Sequence, residues 1–153
     1  MKIDEFENQA GHEIGLSRWL CIDQSRISAF AEITEDRQAV HLSPAIAAQA
    51  SFGGTIAHGF LILSMLSVML TEVMPAFEDR AISMNYGFDR IRFLHPVLAG
   101  SYIRGRFVLD ESRPRASGDR VNRLIASVEI QYMARPALIA EWLVLERQRA
   151  DVR

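Results

Sequence analysis

Asp36 and His41 lie five residues apart in the polar run Thr34-Glu35-Asp36-Arg37-Gln38-Ala39-Val40-His41. That separation is not helical i, i+4 spacing, so the run reads as a loop, which can turn both side chains toward one point. A carboxylate and an imidazole so placed can orient one water and move its protons. Spacing alone leaves plainer readings open. Asp36 could cap a helix, and His41 could be a satisfied buried imidazole.

A second run, Phe52-Gly53-Gly54-Thr55-Ile56-Ala57-His58-Gly59-Phe60, leads from glycines into a long apolar segment. If a helix starts there, its first N–H groups lack partners and its dipole is positive, a place for an oxyanion or a thioester carbonyl. Gly59, lacking a Cβ, would let a substrate approach closely, although glycines also simply let a loop pass near a sheet. The run matches neither a phosphate-binding Walker loop nor a dinucleotide fingerprint. His12, His41, His58 and His95 have no metal-ligand spacing, Cys21 is the single cysteine, and no metal site is expected. Ser64 and Ser67 sit inside the apolar segment, where hydroxyls commonly bond backbone carbonyls. No G-x-S-x-G turn marks a serine hydrolase. Cys21, within Trp19-Leu20-Cys21-Ile22, reads as a small buried thiol rather than a nucleophile.

The elements that must hold these residues follow from periodicity. Trp19–Ile22 reads as a short strand, and Asp23 as the N-cap of a helix whose face is Ile27, Phe30, Ala31 and Thr34. Pro44–Ala50 is a second short helix. Ile56–Met74 is apolar on nearly every face, the pattern of a helix that is surrounded. Beyond Ala81 the period becomes two. In Asn85–Phe93 the alternation sends Tyr86, Phe88, Arg90 and Arg92 one way and Gly87, Asp89, Ile91 and Phe93 the other. Ser101–Leu109, Leu124–Met133 and Leu138–Glu146 read as further strands, with a long exposed hairpin loop over Ser112–Arg123. The expected class is α+β: one domain, residues 1–153, with an antiparallel sheet wrapped around a long central apolar helix.

Composition narrows the function classes. The chain has 153 residues, 49% hydrophobic and 24% charged, enough for a sizeable core without disulfides or metal. Seventeen basic residues against nineteen acidic ones give a net charge of −2, so no general grip on nucleic acid is expected. Sixteen of the cations are Arg. The acidic start Met-Lys-Ile-Asp-Glu-Phe-Glu-Asn is not a signal peptide, and Phe60–Leu70 is too short for a membrane span. A cytoplasmic protein without membrane or nucleic-acid partners is the expectation.

Taken in order, Phe30-Ala31-x-x-Thr34-x-Asp36-x-Gln38-x-x-His41 followed by Phe52-Gly53-Gly54-Thr55-Ile56-Ala57-His58-Gly59 resembles the MaoC-like (R)-specific enoyl-CoA hydratases. Within them the chain is most similar to the subgroup around nodulation protein N. Asn85–Phe93 and Pro96-Val97 extend the likeness, which covers about residues 11 to 145. The resemblance implies a hot-dog fold and reversible addition of water to trans-2-enoyl thioesters, giving (R)-3-hydroxyacyl products. It implies a catalytic pair at Asp36 and His41 and a carbonyl-binding amide at Gly59. Ser67 and Gln38 are counted with the substrate-binding residues, and the role of His58 reads as structural. The chain departs from the family pattern at Gln38-Ala39, where many relatives carry Asn-Pro, and at Ser43, where an Asp is common after the histidine. No cofactor is implied, because coenzyme A or a carrier-protein arm belongs to the substrate; the expected assembly is a homodimer. A non-catalytic acyl-thioester binding or regulatory protein and a hot-dog thioesterase are the alternatives.

Overall fold

The computed structural model describes residues 1–149; the last four residues of the expected domain lie outside the described residues. A 3₁₀ helix (Ile3–Gln9) and strand β1 (Glu13–Leu16) open the chain, followed by β2 (Leu20–Ile22) and α1 (Gln24–Thr34). A single helical turn, α2 (Ala39–Leu42), and α3 (Pro44–Gln49) lead to the long helix α4 (Gly59–Val73). Then come β3 (Arg80–Phe93), β4 (Ser101–Pro114), β5 (Arg120–Ile130) and β6 (Leu138–Gln148). The six strands form one antiparallel sheet in the order β1-β4-β5-β6-β3, with β2 also on β4. Asp23 caps α1 as its type suggests, its Oδ1 accepting from the Arg26 N–H at 2.8 Å. No helix among the described residues is long and apolar enough to cross a membrane.

α4 lies against the sheet through Leu61, Ile62, Met65, Leu66, Met69 and Leu70, all buried. They meet inward-facing residues of the strands, among them Phe107, Leu124, Val128, Leu138 and Trp142. Helix and sheet approach closely at Gly105, where a Cβ would stand 3.0 Å from that of Met69 and 2.6 Å from the Phe107 ring. Two expectations change here. The helix starts at Gly59 rather than Ile56, because Ile56 bridges to Leu98 and the Ala57 N–H donates to the Val97 carbonyl at 2.8 Å. The helix is also not surrounded: Phe60 is 67% exposed, and Ser64, Ser67 and Val68 share that open face.

The sheet corrects three more readings. β4 and β5 run through most of the expected loop and leave only Arg115–Asp119 as the turn. Arg120, 4% exposed, makes this possible, its guanidinium meeting Asp4 at 3.0 Å, Ser112 Oγ at 3.0 Å, and Glu7. This clamp holds the 3₁₀ helix, whose buried Ile3 and Phe6 carry no recognisable period, against the hairpin. In β3, bulges at Asn85/Gly87 and Phe88/Arg90 break strict alternation, so Phe88 and Ile91 both pack on the core. Cys21 is half-buried, with Sγ 4.0 Å from the Gly100 carbonyl.

Candidate active site

The segment between α1 and α2 is shaped by its own residues. Glu35 takes the left-handed conformation (φ 61°) and ends α1. Thr34 Oγ1 donates to the Phe30 carbonyl at 2.6 Å and accepts from the Asp36 N–H at 3.4 Å, tying Asp36 to the helix it leaves. Arg37 forks onto Glu32 with two bonds of 3.0 Å. His41 is not in a loop, as the spacing suggested, but on the single turn of α2, buried at 7% exposure. The pair stands five apart because Asp36 lies just past the left-handed Glu35 in the non-helical stretch 35–38, while His41 is the third residue of α2.

The structure brings Asp36 and His41 together and adds His58. A carboxylate oxygen of Asp36 and one ring nitrogen from each histidine lie within 4.8 Å of one another. No hydrogen bond joins the Asp36 carboxylate to either ring, and a gap of that size suits a water making two bonds of about 2.8 Å. His41 Nδ1 lies 2.7 Å from the Ile56 carbonyl, which can only accept, so Nδ1 carries the proton and the neutral ring keeps its lone pair on Nε2. The same reasoning places a proton on His58 Nε2, which donates to the Asp36 carbonyl at 2.9 Å. The two imidazoles stack, centroids 3.7 Å apart and planes 26° from parallel. Nearly parallel rings aim their in-plane lone pairs side by side, whereas a metal at about 2.0–2.1 Å from both needs them to converge. The cluster is suited to holding water between acceptors rather than an ion.

Gln24 is a residue that spacing did not single out. Its amide nitrogen donates to the His41 carbonyl at 2.9 Å, and its oxygen accepts from Thr55 Oγ1, so α1 fixes the α2 turn from behind. A Gln at the start of a helix carries no periodic signal, which is why it was missed.

The remaining expected residues are distributed. Gly59 is the first residue of α4, and Ile62 is the first N–H of the helix with an intrahelical acceptor, the His58 carbonyl at 3.2 Å. The amide of Gly59 thus follows directly on the histidine stacked against His41. A Cβ at Gly59 would stand 3.1 Å from the Phe93 ring, and both residues line a cavity of about 250 Å3 with Ile56, Ile62 and Pro96. Ser67 lies two turns on, about 12 Å along the axis. It lines a separate cavity of about 440 Å3 with Thr71, Arg80, Ser83 and Trp142. Because β3 runs back along α4, both cavities lie in the seam between them. Gln38 is exposed, its carbonyl accepting from the His41 N–H at 3.0 Å and its side chain without a hydrogen bond. Ser64 Oγ bonds the Phe60 carbonyl at 2.7 Å, as expected of a helical serine.

Comparison with known proteins gives a consistent answer. Nodulation protein N of Rhizobium meliloti (strain 1021) is 42% identical over 146 residues, covering 95% of this chain and 91% of that protein. The 3-hydroxyacyl-thioester dehydratase Z of Mycobacterium tuberculosis (strain ATCC 25618 / H37Rv) is 36% identical, covering 88% and 89%. Among solved structures, one described as a monoamine oxidase regulatory protein from Archaeoglobus fulgius superposes with a TM-score of 0.79 at 26% identity, covering 93% of this chain and 92% of its own. The sheet and helix described above are the hot-dog fold of these proteins. The pattern of the MaoC like domain, a family of hydratases and dehydratases, matches residues 5–129, and this chain belongs to that family.

Proposed function

We propose that the protein catalyses the reversible hydration of trans-2-enoyl thioesters of coenzyme A or an acyl carrier to (R)-3-hydroxyacyl thioesters. The observation that carries this reading is the approach of the Asp36 carboxylate and a His41 ring nitrogen at the start of α4. A water donating one hydrogen bond to each is held by both of its protons, leaving its oxygen lone pair free to bond C3. As that bond forms, one water proton passes to the pair and the C2–C3 π electrons move toward the thioester oxygen; the pair then returns a proton to C2 as the enolate collapses, which leaves both side chains as they began. Enolate charge on that oxygen is met by the Gly59 N–H and the helix dipole behind it. One such donor contributes about 3 kcal/mol in characterised oxyanion holes. Positioned proton transfer contributes roughly 10²–10⁴-fold. The reaction as proposed draws on no cofactor or metal beyond the thioester of the substrate, and Ser67 and Gln38 are assigned to substrate contact.

The protein is further proposed to act as a homodimer. Among the described residues β3 has a neighbour on one side only, and Ile82, Tyr86 and Phe93 are exposed on it beside the open face of α4. A panel of enoyl-CoA chain lengths with the product's configuration determined tests the activity. Hydration giving the (R)-alcohol is expected. Tight thioester binding without turnover at high enzyme concentration would instead favour a binding protein, and release of free thiol a thioesterase.

A further inference from the structure

Among the described residues, His58 is a buried side chain whose place the fold does not account for. It is 2% exposed, yet its Nδ1 has no hydrogen-bond partner. A buried acceptor left unpaired opposes folding, and such exceptions call for a reason. As the N-cap of α4 it does nothing for the helix through its side chain, which accepts no bond from the first turn. One edge of the ring packs near Phe30, with centroids 5.0 Å apart, in a setting that an apolar ring would fill without an orphaned nitrogen.

What the imidazole does achieve is contact with both members of the proposed water-binding pair. Its Nε2–H holds the Asp36 carbonyl at 2.9 Å, and its face lies 3.7 Å from His41. Asp36 sits on four non-helical residues and has only one other bond from its backbone, the 3.4 Å contact with Thr34. We infer that His58 is a positioning residue: it sets the separation of Asp36 and His41 by gripping the main chain of one and backing the ring of the other. The inference rests on the proposed hydratase reading. It replaces the structural role that the sequence suggested for His58 with one that acts through the pair and contributes little to the fold.

Two substitutions divide the roles. His58→Phe keeps a stacking ring, removes the donor to Asp36 and removes the orphaned nitrogen. His58→Gln loses the ring but carries an amide N–H at a reach close to that of Nε2. For His58→Phe the expected outcome is a fall in kcat of about 10²-fold, the size of a misplacement near 1 Å. KM should stay within about threefold and the melting temperature unchanged or higher. His58→Gln should recover kcat to within about tenfold of wild type. In the Asp36→Asn background, His58→Phe should cost less than about twofold, since residues acting through one another are not additive. Full kcat in His58→Phe, a penalty that persists beside Asp36→Asn, or a parallel collapse of kcat, KM and melting temperature in both variants would overturn the inference. A wild type without hydratase activity would fail the functional reading instead. Hydrogen exchange of the Glu35–Gln38 amides then decides the positioning role. Faster exchange in His58→Phe but not in His58→Gln supports it, and equal exchange in all three proteins rejects it.

Discussion

At the scale of single residues, Asp36 and His41 are tested as a unit. If both hold one water, losing either partner disables the same step, and the second loss adds little. Asp36→Asn and His41→Gln are each expected to lower turnover by roughly 10²–10⁴-fold. The double variant should fall near the worse single one, with KM little changed. All three should keep the wild-type circular dichroism spectrum, because Asp36 lies on a half-exposed loop and both side chains remain polar after substitution. Near-full activity in both single variants would end the assignment. A different residue governs pH. Glu146 is fully buried, accepts from Ser83 Oγ at 2.9 Å and has Arg80 at 3.7 Å. Burial raises its carboxyl above the ordinary value of 4.5, with the Ser83 and Arg80 contacts offsetting part of the effect. The folded chain therefore keeps a proton that the unfolded chain releases, and this group's contribution to stability falls as pH rises from 4.5 to the raised folded value. Glu146→Gln cannot ionise and should gain on the wild type over that interval. Urea melts between acid and neutral pH measure it, and parallel profiles for the two proteins would show that Glu146 carries no such linkage.

At the scale of elements, the start of α4 separates two explanations for Gly59. Either the missing Cβ admits a thioester carbonyl, or it merely makes room for Phe93, whose ring would meet a Cβ at 3.1 Å. Gly59→Val should abolish turnover in a folded protein. Adding Phe93→Ala relieves the contact, so activity should stay lost if the carbonyl is the reason and return if packing is. The same helix illustrates what periodicity can and cannot convey. The apolar character and approximate position of α4 were legible because burial imposes a pattern on a dozen residues at once. Its true start was not, since Ile56 and Ala57 are as apolar as helical residues but spend their backbone bonds on Leu98 and Val97. Likewise the pairing of Asp36 with His41 was expected only once the family resemblance was joined to their residue types, spacing alone leaving plainer readings open, whereas the bonds of His58 and Gln24 to backbone carbonyls carry no side-chain signature. The Arg120 clamp was invisible for a related reason: an arginine that resembles part of a solvated loop is buried only when the exposed Asp4 and Glu7 arrive from more than a hundred residues away.

At the scale of the whole molecule, the open edge of β3 and the exposed face of α4 call for a second copy. Light scattering at micromolar concentration is expected to give twice the chain mass of 17.3 kDa, and a monomer alone would refute the dimer. The strand order carries a further consequence, for synthesis on the ribosome. β3 is completed at Phe93, but its only partner in the sheet among the described residues is β6, which begins at Leu138. At about 5–20 residues per second, roughly 2–9 s of translation separate the two strands. During that interval β3 has neither edge satisfied, and the part of the core that β6 supplies through Leu138 and Trp142 is still missing. The nascent chain is therefore most dependent on a holding chaperone after its helix is made and before its last strand emerges.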